Sequence, residues 1–586
     1  MQTQANHKHT SNFKEQRHIS RTSLLRTAIY LCLLSILLLL AGCATPTIAP
    51  TPTPTRTPRP TATATPTLTP TPAFPVTVGC DNAIPAEVCQ RLHNLVTQDP
   101  AHFAWDTDPS QADIQLRTSH SLDSTEGNTS IEIGTWTYAV VAPFFTVEES
   151  ISTADLSATW RGTPSGLLAE RPLLVTTDTL SALTSLWGPP LGDHIQVLSA
   201  SQLLSVTQVS DGLGVLSFHQ LSPRWKVLRV DNISPVEKEL SATPYPLEIS
   251  LYLSSATRPD ALALLPHTID TFTNRSEDAM TIVAMTGVTA MTRGTAQLME
   301  TKGITYPGLY IRDWLISADF VHISNEVSFK PDCPPEPSGT MSFCSDDSYI
   351  QLLEYIGVNI VELTGNHLAD KGIEWIDHSL DLYEERGWQW FGGGRNLVDA
   401  RSPLTITHGP NHIAFMGCNP VGPAYDWAKE DSPGSAPCDY EWMYDQVRAL
   451  REAGYQPIVT LQYLETYEYF PTPQQIRDFR SFAEAGAVVV QGSQAHQAQT
   501  LEFYEDTFIH YGPGNFFFDQ MWSDGTRQEF INRLVFYNGR LLSIDLRPVI
   551  LEEYGQPRPM TDDYPDPAGR RSEFLQTIFE LSPGKE

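Results

Sequence analysis

Apolar and polar positions along this chain fall into short blocks whose period switches between two and about 3.6, so strands and helices are expected to alternate from residue 76 onward. Residues 75–95 read as a short strand, a loop and a helix, and Ala112-Asp113-Ile114 opens an alternating segment. The apolar run 138–145 predicts a buried strand. Farther on, the runs 281–288, 319–324 and 358–364 each break into polar residues at their C-terminal ends: Gly287, Asn325-Glu326 and Gly365-Asn366-His367. Open sheets gather ligands at such ends. A helix follows the third break, with Ile373, Ile376, Leu380 and Tyr383 on one face and Asp370 near its N-terminus, where a carboxylate is favoured. The grammar then repeats. The strand 457–461 runs into Gln462, and Pro473 begins a helix with Ile476, Phe479 and Phe482 facing inward. The strand 487–490 leads into Gly492-Ser493-Gln494-Ala495-His496, and 508–511 leads into Gly512-Pro513-Gly514-Asn515-Phe516. Asn538-Gly539 between apolar runs signals a hairpin. Alternation of this kind predicts the α/β fold class.

The first segment departs from that grammar. Lys8, Lys14, Arg17, Arg21 and Arg26 precede a mainly apolar run, 28–40, which has the charge and length pattern of a signal peptide. The run is shorter than the roughly 20 residues a spanning helix needs. It ends at Leu40-Ala41-Gly42-Cys43, which resembles a bacterial lipobox. The resemblance implies cleavage before Cys43 and its diacylation, so that the protein is lipid-anchored on the extracytoplasmic face of the cell membrane. A plain secretory signal with an incidental cysteine is the alternative. Residues 45–72 are almost all Thr, Pro and Ala, a composition that cannot bury a core and predicts a stiff, extended tether.

The formal net charge of −30 over 586 residues argues against nucleic acid as a partner, because phosphate contact needs basic surface. It also argues against docking on anionic lipid by charge, so membrane attachment must come from the acyl group. Six cysteines beyond Cys43 form close couples: Cys80 with Cys89, Cys333 with Cys344, and Cys418 with Cys438. An even count with local spacing in an exported chain predicts disulfides, although spacing alone leaves the connectivity open. None is a CxxC, which disfavours zinc on cysteine.

Within 76–256 the spacing of Trp160-Arg161-Gly162, Asp211-Gly212-Leu213-Gly214 and Leu221-Ser222-Pro223-Arg224-Trp225 resembles type 2 periplasmic binding proteins, which implies a two-lobed α/β domain. From 280 to 560 the ordered motifs resemble the CapA family of capsule synthesis proteins. They are Gly287 with Arg293; Glu326; Gly365-Asn366-His367 with Asp370; Gly394-Arg395-Asn396; Pro471-Thr472-Pro473; Gly492-Ser493 with His496; and Gly514-Asn515-Phe516. That resemblance implies a calcineurin-like metallophosphatase fold, a four-layer αββα sandwich. The implied layout is a signal peptide (1–42), a tether (43–75), a binding-protein-like domain (76–256), a linker (257–279), a CapA-like domain (280–560) and a C-terminal helix and tail (561–586).

A metallophosphatase site needs carboxylate, imidazole and amide ligands around divalent metals that activate a water. The family's ligand positions are filled by Glu326, Asn366, His367 and His496, with Gln462 and Gln494 as weaker donors in place of histidines. Val288 stands where the family has Asp, and valine binds no metal. At most one divalent metal is therefore expected. Glu465 and Glu468, beside Gln462, read as solvated loop charges, with a replacement ligand as the competing reading; His322 and His378 read as ordinary satisfied histidines. The expected function is work on an extracellular polymer such as poly-γ-glutamate, or on a cell-envelope component, from a membrane anchor. The rivals are an active metal-dependent phosphatase or amide hydrolase, and a solute receptor working through 76–256.

Overall fold

The computed structural model describes residues 75–119, 129–199, 201–203, 212–240, 244–262, 265 and 272–583. The signal segment, Cys43 and the Thr/Pro tether lie outside the described residues. Among the described residues no helix is long and apolar enough to cross a membrane.

The N-terminal region is built on one ten-stranded mixed sheet. Next to its edge strand, Phe103–Trp105, β1 (Val76–Cys80) pairs in parallel with β2 (Ile114–Thr118), while helix α1 (Ala86–Gln98) buries Val88, Leu92 and Val96 at helical spacing. The middle is one long strand, β3 (Thr129–Pro143). Its first half pairs antiparallel with β5 (Glu248–Ser255), and its second half pairs with β4 (Leu213–Ser217) and with Trp225–Val230. One strand thus serves both halves of the sheet, and the strand expected over 138–145 is only its second half. The strand stops at Pro143, and Phe144 leaves the sheet to pack edge-on against Phe503 of the C-terminal region at 4.8 Å between ring centres. Part of the 257–279 stretch is packed: Ala261, Leu262 and Phe272 join the N-terminal core. Gly134 makes room for it, since a Cβ there would lie 2.3 Å from the Phe272 carbonyl oxygen.

Among the described residues the C-terminal region has two large sheets and two small two-stranded ones. In the eight-stranded one, β6 (Met280–Thr289) lies between β7 (Phe320–Asn325), parallel to it, and a long antiparallel strand, Gln528–Tyr537. Beyond β7 lies β8 (Ile360–Glu362). In the six-stranded sheet the centre is β9 (Asn411–Cys418), β10 (Gln456–Thr466) and β11 (Val489–Ala495), all parallel. Alternation along the strands sets the layers. Val283 and Met285 from one sheet meet Phe415, Ile458 and Val489 from the other in a shared core. Ala284 and Ile323 face the opposite way, toward α2 (Arg293–Lys302) and α3 (Glu374–Glu385). Val459 and Val490 likewise face α4 (Tyr440–Glu452) and α5 (Pro473–Glu484). The result is helix, sheet, sheet, helix: a four-layer αββα sandwich.

Local expectations meet this frame with a few changes. The 358–364 run makes a strand of only three residues, because the chain turns at Gly365, where a Cβ would sit 2.6 Å from the Glu326 Cα. Helix α3 buries Ile376, Leu380 and Tyr383, but Ile373 caps it and is 36% exposed. Asn538 and Gly539 both take positive φ, 49° and 80°, joining Gln528–Tyr537 to Arg540–Glu552 in the expected hairpin.

The two regions form part of one compact unit, Pro72–Glu586. Ala139, Val141 and Trp225 pack with Met280, Ile282 and Val535 in a common apolar cluster. Beside it Glu237 accepts hydrogen bonds from Arg533 at 2.9 Å and from Arg547 at 2.5 Å.

Candidate functional site

The ends of β6, β7 and β8 and the strands β10 and β11 converge on a cleft of about 1000 Å³. Close backbone approach builds its floor. A Cβ on Gly287 would lie 2.0 Å from the Gly514 carbonyl oxygen, so only glycine lets β6 run this close to the 514–517 segment. The Val288 amide then donates to Gly514 at 3.0 Å. Glu326 follows β7 directly and is tied to β6 by its own amide, which donates to the Thr289 carbonyl at 2.9 Å.

Four of the expected residues meet through one side-chain amide. Gln462 Nε2 donates to Glu326 Oε1 at 2.7 Å and to Asn366 Oδ1 at 3.1 Å, and also to Gln494 Oε1. Three acceptor oxygens therefore surround a nitrogen with two hydrogens. Gln494 is held at φ +73°, the left-handed region, within the last turns of β11. Gln462 Oε1 is buried without a described partner.

The two histidines line the same cleft and are oriented from behind. His367 Nδ1 lies 2.7 Å from Asp370 Oδ2, and His496 Nδ1 lies 2.7 Å from Asn515 Oδ1. Burial works against a charged His367, but the Asp370 hydrogen bond and the nearby charges of Glu326, Asp370 and Asp426 outweigh it and hold the ring above the ordinary histidine pKa. Asp426 itself is pushed up to about 7, chiefly by burial; the Ala369 amide, donating at 2.6 Å, pulls the other way. Val288 is 1% exposed and offers only methyl groups. Among the described residues no group of three or more His, Cys, Asp or Glu side chains is placed to hold a metal ion.

Glu465 lines the mouth of the cleft and accepts a hydrogen bond from the Tyr467 hydroxyl; Glu468 is exposed. His322 is buried with Nε2 3.0 Å from Glu362 and Nδ1 without a described partner, and His378 pairs with Asp347 at 2.9 Å, so each is engaged outside the cleft. All three expected disulfides form, with Cα separations of 5.8, 6.2 and 5.1 Å for Cys80–Cys89, Cys333–Cys344 and Cys418–Cys438. The second closes the loop that carries Glu336, Met341 and Phe343 into the cleft wall. Phe343, Tyr467 and Trp522, which line the cleft, and Asp426, buried near His367, were not legible as site residues. They come from loops and strand ends with no periodic pattern, and only their place in the fold marks them.

Fold and cleft together define a metallophosphatase-like α/β protein with its site at the strand ends. Residues 282–520 match the family described as bacterial capsule synthesis protein PGA_cap. Through that region the chain is similar to the CapA family. It is 22% identical over 323 residues to the capsule biosynthesis protein CapA of Bacillus anthracis, covering 53% of this chain and 76% of that one. It is 23% identical over 252 residues to the PGA biosynthesis protein CapA of Bacillus subtilis, covering 42% and 66%. It is 24% identical over 210 residues to a probable polyglutamine synthesis accessory protein of Mycobacterium tuberculosis, covering 33% and 55%. Among solved structures, an ABC-type phosphate transport receptor from Vibrio cholerae covers 32% of this chain and 93% of its own at 12% identity and a TM-score of 0.28. The NAD nucleotidase of Haemophilus influenzae covers 51% and 56% at 10% identity and a TM-score of 0.29. Scores this low add nothing to the strand orders given above.

Proposed function

We propose that this protein supports the synthesis, anchoring or remodelling of an extracellular polymer such as poly-γ-glutamate, held at the outer face of the membrane by acylated Cys43. The likeness of residues 282–520 to capsule synthesis proteins supports the polymer, and the signal segment with its cysteine supports the anchor. Its cleft works without a pair of metals. The observation that carries this is the Gln462 amide, whose Nε2 takes up oxygens of Glu326, Asn366 and Gln494 together. A dinuclear centre needs a bridging carboxylate and imidazole donors at those positions, and the residues present do not fit it. Glu326, Asn366, His367 and His496 are the donors that remain for at most one divalent ion, so the hydrolase reading and the degenerate one differ in a measurable stoichiometry.

Deletion of the gene in its host, complemented with wild type, Cys43→Ala and His367→Ala, tests the reading. Surface polymer is expected to fall on deletion and to return with wild type but not with Cys43→Ala, which leaves the membrane fraction. Metal analysis of the purified protein is expected to give at most one ion per chain. Two tightly held ions, with hydrolysis abolished by His367→Ala, would establish the hydrolase instead. Unchanged surface polymer on deletion would remove the polymer role.

A further inference from the structure

The cleft has a chemistry of its own, and it is not that of a polyanion site. Five carboxylates line it, Glu326, Glu336, Glu465, Asp519 and Glu553, against a single arginine, Arg293. That arginine is already engaged. Its guanidinium binds Asp519 and lies 4.9 Å from the ring centres of both Phe343 and Phe518. With its one lining arginine engaged, the cleft offers a chain of ionised glutamates no free guanidinium, while Glu326 and Glu465 remain as like charge.

The other feature is a ladder of rings from the mouth inward. Trp522, 63% exposed, stands 5.6 Å from Tyr467, which is 38% exposed. Tyr467 stacks on His496 at 5.9 Å and 26°, and His496 stacks on Phe518 at 5.2 Å and 24°. Tyr554, 57% exposed, lines the same cleft. Flat apolar faces open to solvent beside acceptor-only carboxylates complement a ligand with C–H faces and hydroxyl donors.

A cationic ligand is the competing occupant, and the pairing of the carboxylates decides against it. Glu336 is bound by Lys371 at 2.5 Å, Glu553 by Lys302, and Asp519 by Arg293. Glu465 and Glu326 have hydroxyl and amide hydrogen-bond partners. The three ion-paired carboxylates attract a new cation weakly, and all five still accept hydroxyl hydrogen bonds through their remaining lone pairs. The cleft volume of about 1000 Å³ lies at the upper end of small-molecule pockets, enough for several sugar rings.

Resting on the reading that this cleft is the working site, we propose that it binds an uncharged glycan chain, with pyranose faces on Trp522 and Tyr467 and hydroxyls on the cleft carboxylates. In that case the polymer this protein serves and the chain its cleft holds are different molecules: the glycan is what the protein grips while it supports the polymer.

The test is titration calorimetry on the full chain in a detergent without a sugar headgroup. The probes are the hexamer of β-1,4-linked N-acetylglucosamine, poly-γ-glutamate and spermine, at one salt concentration. The hexamer is expected to bind saturably, and Trp522→Ala to weaken it by about ten-fold with an unchanged unfolding temperature. Tyr310→Ala, an exposed ring outside the cleft, is expected to leave binding unaltered. Saturable binding of poly-γ-glutamate or spermine with none of the hexamer overturns the proposal. So does binding of none of the three, or hexamer binding indifferent to both Trp522→Ala and Tyr467→Ala. The deletion experiment reads surface polymer, so the polymer role and the glycan cleft fail separately.

Discussion

The two regions bury different kinds of polar group. Through Ser255, the buried polar side chains of the described N-terminal residues are all Ser or Thr, among them Thr137, Thr159, Thr179 and Ser217. The C-terminal region buries Glu326, Glu362, Glu502, His322, His510 and a set of Asn and Gln. A buried hydroxyl is satisfied locally: Thr159 Oγ1 donates to the Asp155 carbonyl 2.8 Å away, one helical turn back. A buried carboxylate or imidazole costs far more; it is held in a network, as His322, Glu362 and Thr364 are at 3.0 and 2.6 Å, or, like the fully buried Glu529, has its pKa pushed up by burial. Such networks crowd the C-terminal sheets and reach the cleft, while the N-terminal sheet is assembled as a packing body. The difference makes the C-terminal region the richer of the two in buried carboxylate and imidazole groups among the described residues.

The largest way to break this comparison is at the seam. Glu237 of the N-terminal region faces Arg533 and Arg547, whose side chains are only 2% and 7% exposed. Glu237→Ala leaves Arg533 without this partner and Arg547 with Asp545, and is expected to cost about 3–5 kcal/mol, the range for breaking a buried pair. Calorimetry should show the single unfolding transition falling and splitting. An unmoved single transition would mean that the apolar cluster alone joins the regions.

Acid should next separate the regions. Burial lowers His510 from the ordinary 6.5 to about 4, and the Asn532 side-chain nitrogen lies 2.7 Å from its Nδ1. Because the unfolded chain binds this proton more readily than the folded one, stability is complete above about pH 6.5 and declines as pH falls toward 4, by on the order of 3 kcal/mol. No histidine of the described N-terminal residues is fully buried. Hydrogen exchange at pH 7 and pH 4.5 should therefore show protection lost around β11 and Gln528–Tyr537 before the N-terminal sheet. Equal loss in both regions would count against the contrast.

Smaller effects test the two kinds of burial directly. Gln462→Leu strands the Glu326 carboxylate and is expected to lower stability by about 1–3 kcal/mol. Thr159→Val removes one hydroxyl bond to a carbonyl and is expected to cost about 1 kcal/mol. Denaturant melts of both variants measure the difference. If Thr159→Val proves the costlier, the N-terminal polar groups matter more than their chemistry suggests.

The residues legible beforehand were those whose signal is local. Glu326, Asn366 and His367 stand directly after apolar runs, and Gln494 and His496 belong to a motif that follows one. Their neighbourhood could be read because a parallel α/β sheet sends strand ends to one side. The aromatic wall could not. Trp522, Tyr467 and Phe343 lie in segments without period, and nothing local distinguishes a ring that faces a cleft from one that faces solvent. The strand over 138–145 was similarly half read, since the residues before it pair with β5, a partner more than a hundred positions away.

From the sequence alone came the α/β class, the ordered motifs, the three cysteine couples and the presence of Val288, Gln462 and Gln494 where the CapA resemblance implies metal ligands. Each depends on neighbours in the chain or on the donor chemistry of one side chain. Only the tertiary structure decided what those replacements do together. Gln462 and Glu326 are 136 positions apart, and their 2.7 Å hydrogen bond exists because two sheets pack face to face and bring β10 over the end of β7. The pairing of the cleft carboxylates and the ring ladder were decided in the same way. They depend on loops closing across the sandwich, one of them held by Cys333–Cys344, and such contacts are set by packing between distant segments, which no local period encodes.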